Sequence, residues 1–96
     1  MISTKDRAKL KALSQNLKPV LNIGKENLNE NSIIEIENYL RKNEIMKIKL
    51  LNSSEEDPKE LMNLLCEKLN AEPVLVVGKT LIIYRYSNQK GVKHVL

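Results

Sequence analysis

The sequence predicts an α/β fold of the α+β sandwich type, with the element order α-β-α-β-α-β-β and a four-stranded mixed sheet. Three segments repeat apolar residues at helical spacing, and four short segments alternate or run apolar, with Gly, Pro or Asn between them. Strands joined through a helix tend to run parallel and strands joined by a tight turn run antiparallel, so we expect the sheet to be mixed. A chain of 96 residues fits one domain.

A proline separates the first helix from the first strand. Ser3 can cap a helix over residues 4–16, and Asp6 lies in its first turn, where the helix dipole favours an acidic group. The apolar stripe of this helix is formed by Leu10, Leu13 and Leu17. Pro19 stops the helix, because the residue before a proline prefers an extended backbone. Residues 20–23 are predicted to form the first strand.

The second helix and strand follow a turn at residues 24–27. Either Asn29 or Asn31 can cap this helix, which is expected to run to about Lys42. The residues expected to face inward are Ile33, Ile36 and Leu40. Residues 45–51 are predicted to form the second strand, with one buried face and one wet face. Its alternating residues are Met46, Ile48 and Leu50 on the apolar side and Lys47 and Lys49 on the other.

The third helix leads into a hairpin. Asp57 can cap this helix, with Pro58 at its first position. The residues expected to hold it to the core are Leu61, Leu64, Leu65 and Leu69. Residues 73–77 and 80–86 are then predicted to form two strands joined by the two-residue turn Gly78-Lys79, a type of turn that requires glycine.

The domain is predicted to occupy residues 1–87, followed by a polar tail at residues 88–96 that is expected to fray. Residues 1–11 contain no apolar signal segment, and the longest apolar runs are too short to cross a bilayer. Cys66 is the only cysteine, so nothing requires an oxidising compartment. We therefore expect a monomeric, cytoplasmic protein that does not contact a membrane.

Positive charge is concentrated at the two ends of the sequence. The chain carries 16 Lys and Arg against 12 Asp and Glu, a net charge of +4. Residues 1–25 hold six basic and one acidic side chain, residues 58–96 hold six and three, and residues 26–57 hold four and eight. If the fold brings the ends together, one face becomes strongly positive, as in proteins that bind polyanions. A basic surface that only keeps the protein soluble explains the charge equally well.

Motifs for catalysis or cofactor binding are missing from the sequence. Its one histidine is His94, in the tail, and it has no cluster of Cys and His that could bind zinc. It contains neither a Walker loop nor a dinucleotide fingerprint. Cys66 lies by period at the edge of the third helix's apolar face and is expected to be structural, while residues 55–57 are explained as a solvated loop and a helix cap. We expect no catalytic site, metal or cofactor.

The strand-to-helix turn Gly24-Lys25-Glu26-Asn27 is the constellation that carries a binding chemistry. It precedes a helix start, where backbone N–H groups and the positive end of the helix dipole can hold a phosphate, and Lys25 projects from it. A routine turn in which Gly24 supplies an unusual φ explains the same residues.

Three separated stretches of the sequence match one family. They are LKPVLNIGKENL at residues 17–28, NEIMKIKLL at residues 43–51 and VGKTLIIYR at residues 77–85. In this order and spacing the chain resembles the CRM domain, the RNA-binding module of chloroplast splicing factors and of the bacterial YhbY proteins. The resemblance implies a fold similar to the C-terminal domain of translation initiation factor three, and RNA binding through a GxxG loop like that of KH domains. Stand-alone bacterial members are associated with assembly of the large ribosomal subunit.

The resemblance and the charge pattern together assign the candidate RNA-binding residues. These are Gly24, Lys25, Asn27, Arg7, Lys11, Lys18, Lys79 and Arg85. Asn27 stands where the family has its second loop glycine, and Asn43 stands where it has His or Arg. The implied partner is structured RNA, specifically ribosomal RNA in a large-subunit precursor, bound by one basic face. The alternative is a protein-interaction module in which the acidic residues 26–57 dock a basic ribosomal protein.

We predict that Asn27→Gly folds normally and binds RNA at least as tightly as the wild type, because glycine adopts a positive φ without strain and leaves more room for a phosphate. Asn27→Val should weaken binding, since a β-branched residue resists a positive φ. RNA affinity and thermal unfolding of the two variants check this. A valine variant unchanged in both measurements would show that the loop analogy fails at this position.

Overall fold

The computed structural model describes residues 2–23, 29–51 and 57–96. The helices are α1 (Thr4–Ser14), α2 (Glu30–Asn43) and α3 (Pro58–Leu69), and the strands are β1 (Leu21–Ile23), β2 (Ile45–Leu50), β3 (Glu72–Val77) and β4 (Thr80–Tyr84). The predicted fold class and element order are confirmed. The predicted helix and strand ends differ from the observed ones by one or two residues, where turns replace the last residues of an element.

Strand β4 lies inside the sheet, although it is the last strand of the chain. The order across the sheet is β1-β2-β4-β3. β1 runs parallel to β2, with Leu21 opposite Ile48, and β4 runs antiparallel to both β2 and β3. The sheet is therefore mixed, as predicted, and β1 and β3 are its two edges.

Side-chain caps set where the three helices begin. Ser3 Oγ accepts a hydrogen bond from the Asp6 N–H (3.0 Å) at α1, and Asp57 Oδ1 accepts one in the first turn of α3 (3.0 Å). At α2 two asparagines could serve, and the structure selects Asn29, whose Oδ1 accepts a hydrogen bond from the Ser32 N–H (2.9 Å). Each cap satisfies a backbone donor that has no partner inside its helix.

The helices cover the two faces of the sheet unequally. Helices α2 and α3 lie on one face and bury the larger apolar cluster, whose centre includes Ile36, Leu40, Ile48, Leu65 and Leu81. Helix α1 lies alone on the other face. There the smaller cluster consists of Leu10, Ile45, Val74, Ile82 and Tyr84. One helix cannot cover a four-stranded sheet, so part of this second face stays open.

Two leucines that were expected to face the core are exposed. Leu13 in α1 is 38 % exposed and Leu64 in α3 is 43 % exposed. The buried residues of α3 are Leu61, Met62, Leu65, Cys66 and Leu69. The buried stripe runs through pairs of adjacent residues, 61–62 and 65–66, so Leu64, one residue before the second pair, lies outside it. The prediction was wrong for these two residues because apolar spacing indicates a stripe but not its width.

Residues at the carboxyl end of the chain fold back on the end of α2. The side chain of Glu44 is fully buried, accepts hydrogen bonds from the N–H groups of Ser87 (2.7 Å) and Val95 (3.0 Å), and contacts His94 Nδ1 at 2.8 Å. The ring of Tyr86 stacks on that of His94 with 4.8 Å between the centroids. The expectation of a frayed tail was wrong, because its donors find an acceptor about half the chain away.

The surroundings of Glu44 change its acidity. Burial alone would raise the pKa of this carboxyl, but the hydrogen bonds from Ser87, His94 and Val95 outweigh burial and lower the pKa from its ordinary value. When the folded pKa lies below the unfolded one, the ionised group stabilises the fold above the unfolded pKa. That stabilisation is lost as the pH falls through the folded pKa.

We predict that Glu44→Gln lowers the free energy of unfolding by about 1–3 kcal/mol at neutral pH, because it removes charge-assisted hydrogen bonds from a buried site. The difference from the wild type should shrink once the pH falls below about 4.3, the ordinary pKa of a glutamate. Glu35→Gln, at an exposed position of the same helix, is the matched control and should show neither effect. Urea unfolding at neutral and acidic pH measures both variants, and a difference that does not vary with pH would contradict the prediction.

Candidate nucleic-acid interface

The parallel pairing of β1 and β2 brings their carboxyl ends to the same edge of the sheet. Leu51 N–H donates to the Ile23 carbonyl oxygen (2.8 Å), and Leu50 N–H donates to the Lys79 carbonyl oxygen (2.7 Å). The end of β1, the end of β2 and the β3–β4 turn therefore meet at one place. We call this place the loop edge; it consists of Ile23, Leu50, Leu51, Gly78 and Lys79.

The predicted loop residues Gly24, Lys25 and Asn27 lie outside the described residues. They follow directly on Ile23, so the chain enters that segment from the loop edge. The turn beside it has the predicted two-residue form, since Val77 is opposite Thr80 and Gly78 has φ +56°. Lys79 is exposed at the tip of this turn.

A row of four residues crosses the sheet next to the loop edge, on the face that carries α1. The row, which we call the open row, consists of Asn22, Lys49, Thr80 and Val77, each opposite the next in neighbouring strands. Helix α1 ends at Ser14, beside Val77 and Thr80, and leaves the other half of the row uncovered. Lys49 and Asn22 are consequently exposed, and Val77 is 60 % exposed.

Lys49 is a candidate binding residue that sequence reasoning missed. Its alternation with buried neighbours predicted only a wet strand face, and this prediction is confirmed. The signal that could have singled it out is the pairing of β1 with β2, which sets Lys49 opposite Asn22, two residues before Gly24. Pairing register between distant strands is not visible in a single sequence.

Lys47, on the same side of β2, has a structural role. Its Nζ donates a hydrogen bond to the Leu17 carbonyl oxygen (3.1 Å), and the side chain is half-buried. This bond holds the segment between α1 and β1 against the sheet. Lys18, which follows Leu17 in the sequence, is exposed in that segment. It lies near the amino end of β1, the end opposite the loop edge.

Arg7 and Lys11 lie on a different surface from the loop edge. Both line a groove between α1 and α3 beside the edge strand β3, together with Lys59 of α3. The described residues that line this groove include no acidic side chain. Two of the four cations of α1, Arg7 and Lys11, therefore lie beside β3.

Arg85 lies at the opposite end of β4 from Lys79. Its N–H donates to the Glu44 carbonyl oxygen (2.8 Å), and its Nη1 is 3.4 Å from Glu37 Oε1, which also contacts Arg41 Nη2 at 3.5 Å. Six residues of extended chain span about 20 Å. The expected single basic face is thus divided in the structure, because Lys79 and Arg85 lie at opposite ends of β4.

The described residues offer little for covalent or metal chemistry. Burial and the nearby Glu72 carboxylate raise the pKa of the Cys66 thiol to about 11, so the reactive thiolate is disfavoured. Within residues 2–23, 29–51 and 57–96, no three His, Cys, Asp or Glu side chains are grouped to hold a metal ion. No described helix is long and apolar enough to cross a membrane. Exposed cations beside backbone turns suit phosphate groups instead.

Comparisons with known proteins show which proteins this chain is similar to. The chain is 32 % identical over 92 residues to an RNA-binding protein of Haemophilus influenzae, covering 96 % of this chain and 93 % of that one. It is 27 % identical over 89 residues to a Bacillus subtilis protein named as a probable RNA-binding protein, YqeI, covering 93 % of each. The solution structure of the hypothetical protein SAV1595 from Staphylococcus aureus superposes with a TM-score of 0.78, at 36 % identity and 94 % coverage of each chain.

The family assignment rests on nearly the whole chain. The sequence profile of the CRS1/YhbY (CRM) domain matches residues 2–85, from the residue before the Ser3 cap to the residue that follows β4. These bounds contain every helix and strand of the structure. The chain therefore belongs to the CRS1/YhbY (CRM) domain family.

Proposed function

We propose that this protein binds structured RNA through its phosphate groups, at the loop edge, the adjoining segment from Gly24 to Asn27 and the open row. The observation that carries the proposal is that Lys49 and Lys79 meet the start of that segment at one edge of the sheet, in a chain whose relatives are named as RNA-binding proteins. Cations that converge on backbone N–H groups are the usual means of holding a nucleic-acid backbone.

The tyrosines of the chain support backbone recognition over base stacking. Tyr84 is buried in the core and Tyr39 is half-buried, while the exposed Tyr86 stacks on His94 beyond the far end of β4. The sequence has no Trp or Phe. Because RNA modules that read single-stranded bases stack them on exposed rings, we propose that this surface recognises the shape and phosphates of folded RNA.

Charge reversal at the proposed site should weaken RNA binding and leave folding intact. We predict that Lys25→Glu and Lys49→Glu each reduce RNA affinity, because each removes a phosphate contact and adds repulsion. Thermal unfolding should stay close to the wild type, since substitutions at exposed positions cost about 0.5 kcal/mol or less. Lys90→Glu, the same change at an exposed tail residue, is the control and should bind as the wild type does. Equal affinities for all four proteins would refute this site.

Salt dependence separates phosphate binding from other modes. If about four cations meet phosphates, log K should fall with log salt at a slope near −3 to −4. Lys25→Ala and Lys49→Ala should each make the slope shallower by about 0.7–0.9. Arg85→Ala should leave the salt slope unchanged, because Arg85 lies at the opposite end of β4 from Lys79 and contacts Glu37. A flat salt dependence of the wild type would contradict phosphate recognition.

The proposed RNA is ribosomal RNA in a precursor of the large subunit, as the resemblance to stand-alone bacterial CRM proteins implies. Sedimentation of cell extract through a sucrose gradient tests this. We expect the protein to migrate with a large-subunit precursor, and a position at the top of the gradient would contradict the proposal.

The competing hypothesis is that a basic ribosomal protein docks on residues 26–57. It predicts that charge reversal at Glu55 and Glu56 abolishes partner binding; both residues lie outside the described part of the chain.

A further inference from the structure

We infer that the groove beside β3 is a second phosphate-binding site, which takes phosphodiester groups of the same RNA that the loop edge binds; the inference rests on the proposed function. The groove is open, has a volume of about 430 Å³ and is lined by residues of α1, α3 and β3; the two helices pack on opposite faces of the sheet. Its polar lining consists of Arg7 and Lys11 from α1 and Lys59 and Asn63 from α3. These side chains all supply hydrogen-bond donors.

An incompletely satisfied arginine points to an anion as the occupant. Arg7 Nε is buried, and no hydrogen-bond partner for it is found among the described residues. A guanidinium is always charged and has no acceptor atoms, so only an acceptor can satisfy its N–H groups. A phosphate in the groove would provide that acceptor once the guanidinium rotates toward it, and the two exposed lysines would balance the remaining charge.

The floor of the groove adds backbone groups. Residues Pro73–Val76 of β3 line it, and β3 is an edge strand, so alternate backbone groups on its outer side have no partner strand. The pairing of β3 with β4 shifts register between Pro73 and Leu75, which bends the strand at this point. The apolar side chains of Met62 and Pro73–Val76 form the floor, and the cations stand at its sides, so an extended nucleic-acid backbone can lie along this open cleft with its phosphates toward the cations.

The groove lies close enough to the loop edge for one RNA to reach both. Val76, in the groove, is three residues before Lys79 at the loop edge. Because the chain turns at Gly78 and Lys79, these three residues span less than about 10 Å, the length of three extended residues, which corresponds to at most a few nucleotides of backbone. Two sites on one rigid sheet then act on the same RNA, and the second contact raises affinity by making binding bivalent.

Nuclear magnetic resonance of the full chain tests occupancy of the groove directly. The chain has three arginines, at positions 7, 41 and 85, so its ¹H–¹⁵N spectrum contains three Nε–Hε signals, which Arg→Lys variants assign. Titration with a short RNA hairpin oligonucleotide should shift the Arg7 signal saturably and leave the Arg41 signal in place. Inorganic phosphate is the second probe. A shift with phosphate but none with the oligonucleotide would overturn the assignment to RNA.

A matched pair of double variants tests whether the groove contributes to RNA affinity. Lys11→Gln/Lys59→Gln removes two charges from the groove, and Lys9→Gln/Lys68→Gln removes two exposed charges from the same two helices outside it. The groove variant should weaken RNA binding by about tenfold and make the salt slope shallower by about 1.5, since each lost phosphate contact removes about 0.7–0.9. Thermal unfolding confirms that both variants fold.

The outcomes separate the groove from the loop edge. If Lys25→Ala and Lys49→Ala weaken binding but the two double variants behave alike, the loop edge is the RNA site and the groove is not. If the groove variant alone weakens binding, the proposed loop-edge function fails while the groove remains an RNA site. Weakening in both sets, with the Arg7 signal shifted by the oligonucleotide, supports the inference.

Discussion

The central position of β4 is the constraint on which the rest of the structure depends. β4 is hydrogen-bonded on both sides, to β2 and β3, and its residues Leu81, Ile82, Ile83 and Tyr84 are buried on both faces. A strand that is apolar on both faces needs helices above and below it. Helix α1 therefore covers the side opposite α2 and α3, β3 is moved to the edge, and the β3–β4 turn comes to lie beside the end of β2.

This arrangement also decides where charge can gather. The hairpin separates Lys79 from Arg85 by the length of β4, and α1 directs Arg7 and Lys11 toward the β3 edge. The affinity of a single basic patch for RNA depends only on local charge density. If both places bind RNA as proposed, affinity depends in addition on the distance between phosphates, which differs among folded RNAs. Shape selectivity then needs no aromatic side chain at the surface.

Sequence reasoning succeeded where the cause of a structure is local. The caps at Ser3 and Asp57 and the Gly78-Lys79 turn follow from side chains and φ values within a few residues, and all three were predicted. It failed where the cause is distant. Strand order places Lys49 beside the loop edge and Arg85 far from it, and neither position follows from the spacing of residues along the chain.

Glu44 illustrates the same limit most clearly. In the sequence it is an ordinary acidic residue at the end of a helix, and nothing near it indicates burial. Its role arises from donors at Ser87 and Val95 and from the ring of His94. The loop segment from Gly24 to Asn27 is a different case, since it lies outside the described residues and its conformation stays a prediction.

The contact between Glu44 and the tail has a consequence for the resistance of the protein to proteolysis. Lys90 and Lys93 are exposed, and cleavage after either one would separate His94 and Val95 from the domain. The carboxylate would then lose its contacts with His94 and Val95 and keep the hydrogen bond from the Ser87 N–H, which leaves its charge less well compensated. A cut that removes only the last three or six residues would thus raise the population of unfolded chains, and these are degraded far faster than folded ones.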